Sequence, residues 1–360
     1  VTARPVYING RFLTQAVTGV QRYAREIVTA IDAQLASADD GLDWRVLTPP
    51  GAAPLPLRRI ATEPCGRLSG HGWDQVSFAR RARGGVALSL AMSGPLFHPR
   101  HLAVIHDVAV FRHPEHFSRA YRTAHQVIER TLSRTAHLAT VSHFSQREIA
   151  AVLGVAAERI LVAPNGVEHM ASAADTAAVD RLALRGRPYF VMIGSLAPNK
   201  NLATALRALE RLPRGAARLV MVGGMNNRVF GDAAATGGED VVMAGRLSDA
   251  EMTGLLQHAT ALLFPSIYEG FGIPPLEAMV NGCPVLASNA GAPREVCGEA
   301  AEFFDATDDV ALAALMTQVL RDDGSWRAAR VAAGRARVAR YSWATSAATI
   351  AEACRRLAAG

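Results

Sequence analysis

"YFVMIGSLAPNKNLATALRALE", residues 189–210, joins an apolar run of strand length, a loop punctuated by glycine and proline, and a helical segment over about 201–212. The loop carries Lys200, the single lysine among 38 basic residues. A strand passing through a short loop into a helix is the repeating unit of an open parallel sheet, and the same unit recurs on both sides of this one. Towards the C-terminus come "RLVMVGG", "VVMAG", "ALLFPS" and "PVLAS", with helices predicted at about 248–259 and 275–282. The tail adds three helical stretches, about 308–321, 325–340 and 343–358.

Towards the N-terminus the pattern repeats with "PVYI", "WRVLT", "VALSL", "LAVIH", "HLATVS" and "RILVAP", separated by helices such as 118–135 and 145–153. The first helix follows a Thr18 cap and sets Val20, Tyr23, Ala24, Ile27, Ile31 and Leu35 on one face. Short apolar runs alternating with helices predict parallel sheets covered on both faces. Residues 168–186 have weak periodicity and read as a linker, which gives an N-terminal domain at 1–170 and a C-terminal domain at 187–342. The last helix, within 343–360, is expected to complete the first domain. Two doubly wound domains of this kind bind ligands at the C-terminal edges of their strands, in a cleft between them.

Composition narrows the class. Half of the 360 residues are apolar, so the chain is globular. The start "VTARPVYING" lacks the features of a signal peptide, and no run approaches the roughly 20 apolar residues of a membrane helix. A cytoplasmic protein is the expectation. The four cysteines show no C-x-x-C spacing and read as reduced thiols. Net charge +6 points to an anionic ligand or an anionic membrane surface; nucleic acid is disfavoured because no RNP-like motif, zinc finger or basic-aromatic stripe is present.

The richest chemistry lies in "FPSIYEGFGIPPLEAMVNGCPVLASN", 264–289. Ile267 and Tyr268 read as the close of a buried strand, and Gly270 and Gly272 allow backbone amides to approach a ligand. Pro274 and Pro275 suit a helix entry, which places Glu277 in the first turn. Two carboxylates in such spacing raise a glycoside hydrolase reading. On one helix they would stand roughly 12 Å apart along the axis, beyond the roughly 5 to 9.5 Å of hydrolase pairs. A helix N-terminus also favours the ionised form of Glu277 over a general acid. Both glutamates suit accepting hydrogen bonds from hydroxyls.

E-G-F-G-I-P-P-L-E resembles the E-x7-E motif of retaining, nucleotide-sugar-dependent glycosyltransferases of family four, which have the two-domain GT-B fold. "GSLAPNKN" is similar to that family's diphosphate loop, and "AGRLSDAEM" to its nucleobase-side strand and helix. "TGVQRYAREI", "VIHDVAVFRHPEHF", "TVSHFSQREI" and "ILVAPNGV" follow in the family's order, so the resemblance covers about 1–345. It implies that Glu269 contacts hydroxyls of the donor sugar, with the backbone of Gly270, Phe271 and Gly272 lining sugar and phosphate. Glu277 would hold the ribose, and Gly245, Arg246 and Leu247 the base. Lys200, with Ser195 in the same loop, would meet the diphosphate; Gly19 would let the first loop approach it. His106, at the end of "LAVI", would lie between donor and acceptor.

Chemistry supports the assignment of Lys200 independently. A nucleoside diphosphate departs as an anion, whose charge must be neutralised as the bond breaks. No two aspartates stand two apart, so the D-x-D metal carrier of many transferases is missing, and side chains and helix N-termini must supply the positive charge. No metal or other cofactor is expected. Many relatives carry a second basic residue in the loop, where this chain has Ser195 or Asn199; Arg246 and Arg294 are candidate substitutes.

Eight of the 11 histidines lie between 98 and 143, with spacings H-P-R-H and H-P-E-H. Zinc sites generally add a third ligand, and neither a cysteine nor a tight carboxylate cluster stands nearby, so these are read as metal-free. Arg80, Arg81, Arg83, Arg112, Arg119 and Arg122 form either a solvated helix face or a contact for an anionic leaflet or lipid-diphosphate acceptor. The expected activity is mannosyl or rhamnosyl transfer from a GDP-sugar to a saccharide or polyprenyl-diphosphate-linked saccharide, in surface polysaccharide or lipopolysaccharide synthesis. The alternative is a nucleotide-sugar-binding protein without transferase activity. No G-x-G-x-x-G follows a strand, which argues against a dinucleotide oxidoreductase.

Overall fold

The computed structural model describes residues 4–38, 40–195, 197–224 and 238–360. The chain divides into two compact units, Val1–Gly166 with Ser342–Gly360, and Val167–Tyr341. The segment 168–186 is therefore not a linker between domains but the opening of the second unit.

In the first unit seven parallel strands run in the order β3-β2-β1-β4-β5-β6-β7. They are β1 Val6–Asn9, β2 Trp44–Thr48, β3 Ala61–Pro64, β4 Val86–Ser89, β5 His101–Val104, β6 His137–Thr140 and β7 Ile160–Val162. The order reverses between β1 and β4, the feature of a doubly wound sheet. The inner strands β1, β4 and β5 are buried along their length, which explains apolar runs without alternation. The edge strand β3, "ATEP", is polar and partly exposed, so it carried no apolar signature.

Helix Gly19–Ser37 buries Tyr23, Ala24, Ile27, Ile31 and Leu35, while Val20 is half-buried. Helix Trp343–Ala359 packs against it, with Gln34 Nε2 donating to Ala344 O at 2.7 Å and Ser346 Oγ to Pro164 O at 2.6 Å. Serine caps start the helices Arg119–Thr135 and His143–Leu153, where Ser118 and Ser142 accept from the N–H groups of Tyr121 and Ser145.

The second unit has six parallel strands in the order β10-β9-β8-β11-β12-β13. These are β8 Tyr189–Ile193, β9 Arg218–Val222, β10 Val241–Gly245, β11 Ala261–Phe264, β12 Val285–Ser288 and β13 Ala301–Phe304. On one face Phe190, Met192, Leu219, Met221, Leu263 and Leu286 share a core with Leu312 and Met316 of the helix Asp309–Leu320. Strand β11 ends at Phe264, short of the expected Ile267 and Tyr268, because Pro265 has no N–H for the ladder.

Candidate active site

Lys200 leaves β8 through a loop whose last turn, Pro198–Lys200, precedes the helix Leu202–Glu210. Its side chain folds back over Gly194, where an added Cβ would stand 3.3 Å from Lys200 Cε. A side chain at this position would crowd the path of the ammonium. Nζ lies 5.6 Å from the centre of the Phe264 ring and 2.5 Å from Glu269 Oε1. The lysine and the first glutamate of the motif thus form an ion pair, with side chains 19% and 13% exposed.

Two asparagines that sequence reasoning assigned no role hold this pair together. Asn199 O accepts from Ile267 N at 2.9 Å, and Asn199 Nδ2 reaches Tyr268 O at 3.4 Å. Asn201 sits in the left-handed region, φ +54°, and donates through Nδ2 to Pro265 O and Ala306 O at 3.0 and 2.6 Å. The loop around Lys200 is stapled to the loop around Glu269 on either side of the lysine. Asn199 therefore acts as a clamp. The signal was present as Asn flanking Lys, but its partners are over 60 residues away.

After Glu269 the backbone of Gly270, Phe271 and Gly272 is buried, and the Phe271 ring packs edge-on against Tyr341, centroids 5.6 Å apart. Gly272, at φ +88°, precedes the helix Ile273–Val280. The helix starts ahead of Pro274 and Pro275, since proline fits a first turn whose N–H groups need no intrahelical partner. Glu277 is consequently in the second turn, and the first-turn dipole argument for its charge does not apply. Its Oε1 instead lies 2.9 Å from His169 Nε2.

Ser195 is exposed in the Lys200 loop. Gly245 closes β10 at φ +69°, and Gly223 N donates to its carbonyl at 2.9 Å. Arg246 is exposed; its Nη2 would stand 3.4 Å from a Cβ on Gly224, at the ends of β9 and β10. Leu247 is half-buried, and Ser248 caps the helix Asp249–His258 through a reciprocal pair with Glu251. Arg294 is exposed and stacks over Phe303 at 5.2 Å.

In the first unit, Gly19 is exposed and opens the helix Gly19–Ser37. His106 is buried, its Nε2 2.9 Å from Leu90 O and its ring edge-on to Tyr23 at 4.9 Å. Burial holds its imidazole down to about 4, so it is neutral at pH 7. Arg81 pairs with Glu63 at 2.6 Å and Arg112 with Glu148 at 2.6 Å, so these two of the six arginines have internal partners. Burial raises the thiols of Cys283 and Cys297 to about 12, in keeping with unreactive reduced cysteines.

The motif H-P-E-H contains a carboxylate between its two histidines. His113, Glu115 and His116 bring ligand atoms within 4.8 Å of one another, and Glu115 Oε1 stands 3.3 Å from His113 Nδ1 and 3.7 Å from His116 Nε2. These three are the residues that could hold a divalent transition ion among those described.

Residues 175–337 match the family described as Glycosyl transferases group 1. O-antigen chain mannosyltransferase B of Escherichia coli is 30% identical over 267 residues, covering 69% of this chain and 70% of that one. The chain is a group 1 glycosyltransferase. Sucrose-phosphate synthase from Thermosynechococcus elongatus has a TM-score of 0.78 at 20% identity over 99% of both chains. WaaG, a glycosyltransferase involved in lipopolysaccharide biosynthesis, has a TM-score of 0.74 at 17% identity over 99% of this chain and 100% of that one. These glycosyltransferase neighbours show the fold to be GT-B, with two Rossmann-like parallel-sheet units.

Proposed function

We propose that this glycosyltransferase moves a mannose- or rhamnose-like sugar, with retention of configuration and without a metal, from a GDP-activated donor to a saccharide or polyprenyl-diphosphate-linked acceptor. The observation that carries this reading is the Lys200–Glu269 pair, a cation and a hydroxyl-binding carboxylate 2.5 Å apart beside a buried glycine loop. The two groups match the two halves of the bond that breaks, diphosphate and sugar. During transfer the anomeric carbon loses its bond to the β-phosphate oxygen and gains one to the acceptor hydroxyl, whose proton passes to the departing phosphate. Lys200 neutralises the charge that develops. Ser195 lines the diphosphate side, and the ends of β10 at Gly245, Arg246 and Leu247 take the base. His106, neutral at pH 7, serves as a hydrogen-bonding group rather than as a cation.

A relative named for O-antigen chain mannosylation supports the mannosyl donor and a role in surface polysaccharide synthesis. No helix among the described residues is long and apolar enough to cross a membrane. We place the enzyme at the cytoplasmic membrane face, where exposed Arg80, Arg83 and Arg119 meet anionic lipid. The test is transfer from GDP-mannose to mannoside and polyprenyl-diphosphate-saccharide acceptors in EDTA, with the product anomer assigned by NMR. An α-linked product formed in EDTA is expected. GDP binding without transfer or hydrolysis, or a β-linked product, overturns the reading.

A further inference from the structure

We infer that His169 is a positioning residue for nucleotide recognition: its ring holds the carboxylate of Glu277 in the one orientation that receives the ribose hydroxyls. This rests on the proposed role of Glu277. Neither His169 nor its turn belongs to any motif of the family resemblance, and the residue falls in the stretch that periodicity assigned to a linker.

The need for such a residue follows from the helix. Glu277 lies beyond the first turn of Ile273–Val280, so free helical N–H groups do not fix its side chain. A glutamate left to its own rotamers loses side-chain entropy when a ligand immobilises it. His169 removes that freedom in advance. Its Nε2 is 2.9 Å from Glu277 Oε1, and its side chain is 3% exposed against 13% for the glutamate. An ionised carboxylate only accepts hydrogen bonds, so Nε2 carries the hydrogen. The bond uses Oε1, and Oε2 is the oxygen available to a diol.

The histidine is itself held from the base side. Its turn, Glu168–Ala171, closes with Met170 N donating to Val167 O at 2.9 Å and packs against the helix Asp249–His258. A few residues on, Asp175 N donates to Ala250 O at 2.9 Å. An added Cβ on Gly254 would stand 2.1 Å from Asp175 O, so the segment lies this close only because residue 254 has no side chain. That helix begins directly after Gly245, Arg246 and Leu247. One rigid frame therefore carries both the strand end proposed for the base and the histidine that aims the ribose carboxylate.

The test compares affinities of the full chain for GDP and 2′,3′-dideoxy-GDP by isothermal titration, with the UDP and ADP pairs in parallel so that the donor base does not decide the outcome. Wild type is expected to favour the ribose form by roughly tenfold or more, the usual worth of a charge-assisted hydrogen bond. Glu277→Gln should shrink that preference. His169→Ala should shrink it likewise while leaving affinity for the dideoxy form within about twofold, because only ribose reading is lost. His169→Asn, whose shorter amide does not reach Glu277, is the second variant should alanine impair folding. His169→Gln, which presents an N–H near the Nε2 position, should restore most of the preference. If wild type binds no diphosphate or shows no ribose preference, or if Glu277→Gln keeps it, the role of Glu277 falls. If Glu277→Gln loses the preference but the His169 variants keep it, or weaken both ligands equally, the positioning role alone is overturned.

Discussion

In the second unit Lys200 stands 2.5 Å from Glu269, and His169 2.9 Å from Glu277. In the first unit the buried ionisable groups are handled differently. Burial holds His101 down to about 3 and His106 down to about 4, and pushes Glu129 up to about 9 with help from nearby Asp107. Both Glu129 oxygens lack a hydrogen-bond partner among the described residues. Asp74 and Asp32 are exceptions there: Asp74 is fully buried but paired with Arg11 at 3.0 Å, and buried Asp32 accepts from the N–H groups of Arg58, Arg59 and Ile60. The contrast teaches how each unit meets the cost of burying a charge. Lys200 with Glu269 and His169 with Glu277 each set an acid against a base, whereas burial alone keeps His101, His106 and Glu129 neutral.

The largest expected effect breaks a pair at its cation. Lys200→Ala should lower turnover by roughly two to three orders of magnitude, the usual result of removing one electrostatic stabiliser. Steady-state transfer rates within tenfold of wild type would refute the role. Breaking the same pair at its anion should do the opposite to product binding. Glu269→Gln frees the ammonium from its competitor, so GDP should bind roughly tenfold more tightly while sugar transfer falls. Calorimetry showing weaker GDP binding would mean that the glutamate aligns the lysine rather than competes with phosphate.

The first unit should reveal itself through pH. His101 and His106 have folded values below their ordinary 6.5, so the unfolded chain binds more protons between about pH 3 and 6.5. Their contribution is present above pH 6.5 and is lost as pH falls through the folded values. Glu129 has the reverse sign: its folded value lies above its ordinary 4.5, so stability is present below that and is lost as pH rises towards about 9. Denaturant midpoints should show Glu129→Gln gaining on wild type steadily from pH 5 to 9. A constant difference would contradict the burial argument. The smallest effect belongs to exposed pairs of the second unit: Arg185→Ala, which loses an ion pair to Asp180 at the surface, should leave the thermal melt unchanged. A clear destabilisation would show that pairing there matters outside the site as well.

Most of both sheets was legible because parallel strands buried on two faces have to be short and apolar, as in "YFVMI" and "VALS". The polar edge strand β3 was not, since nothing on an edge demands that composition. The motif glutamates and Lys200 were recognisable by residue type and spacing. Their partners were not: Lys200 and Glu269 are 69 residues apart, and His169 and Glu277 are 108 apart. Local periodicity carries no record of such pairing. It also misjudged 168–186, where short turns docked on the helix Asp249–His258 have too few residues to show a repeat.

The most direct test of the central claim, that the Lys200–Glu269 pair receives a nucleoside diphosphate without a metal, is calorimetric titration of GDP in EDTA into wild type and Lys200→Ala. The account predicts binding to wild type that added magnesium does not strengthen, and at least a roughly tenfold loss in the variant. Equal affinity in the two proteins, or binding that appears only when magnesium is supplied, would contradict it.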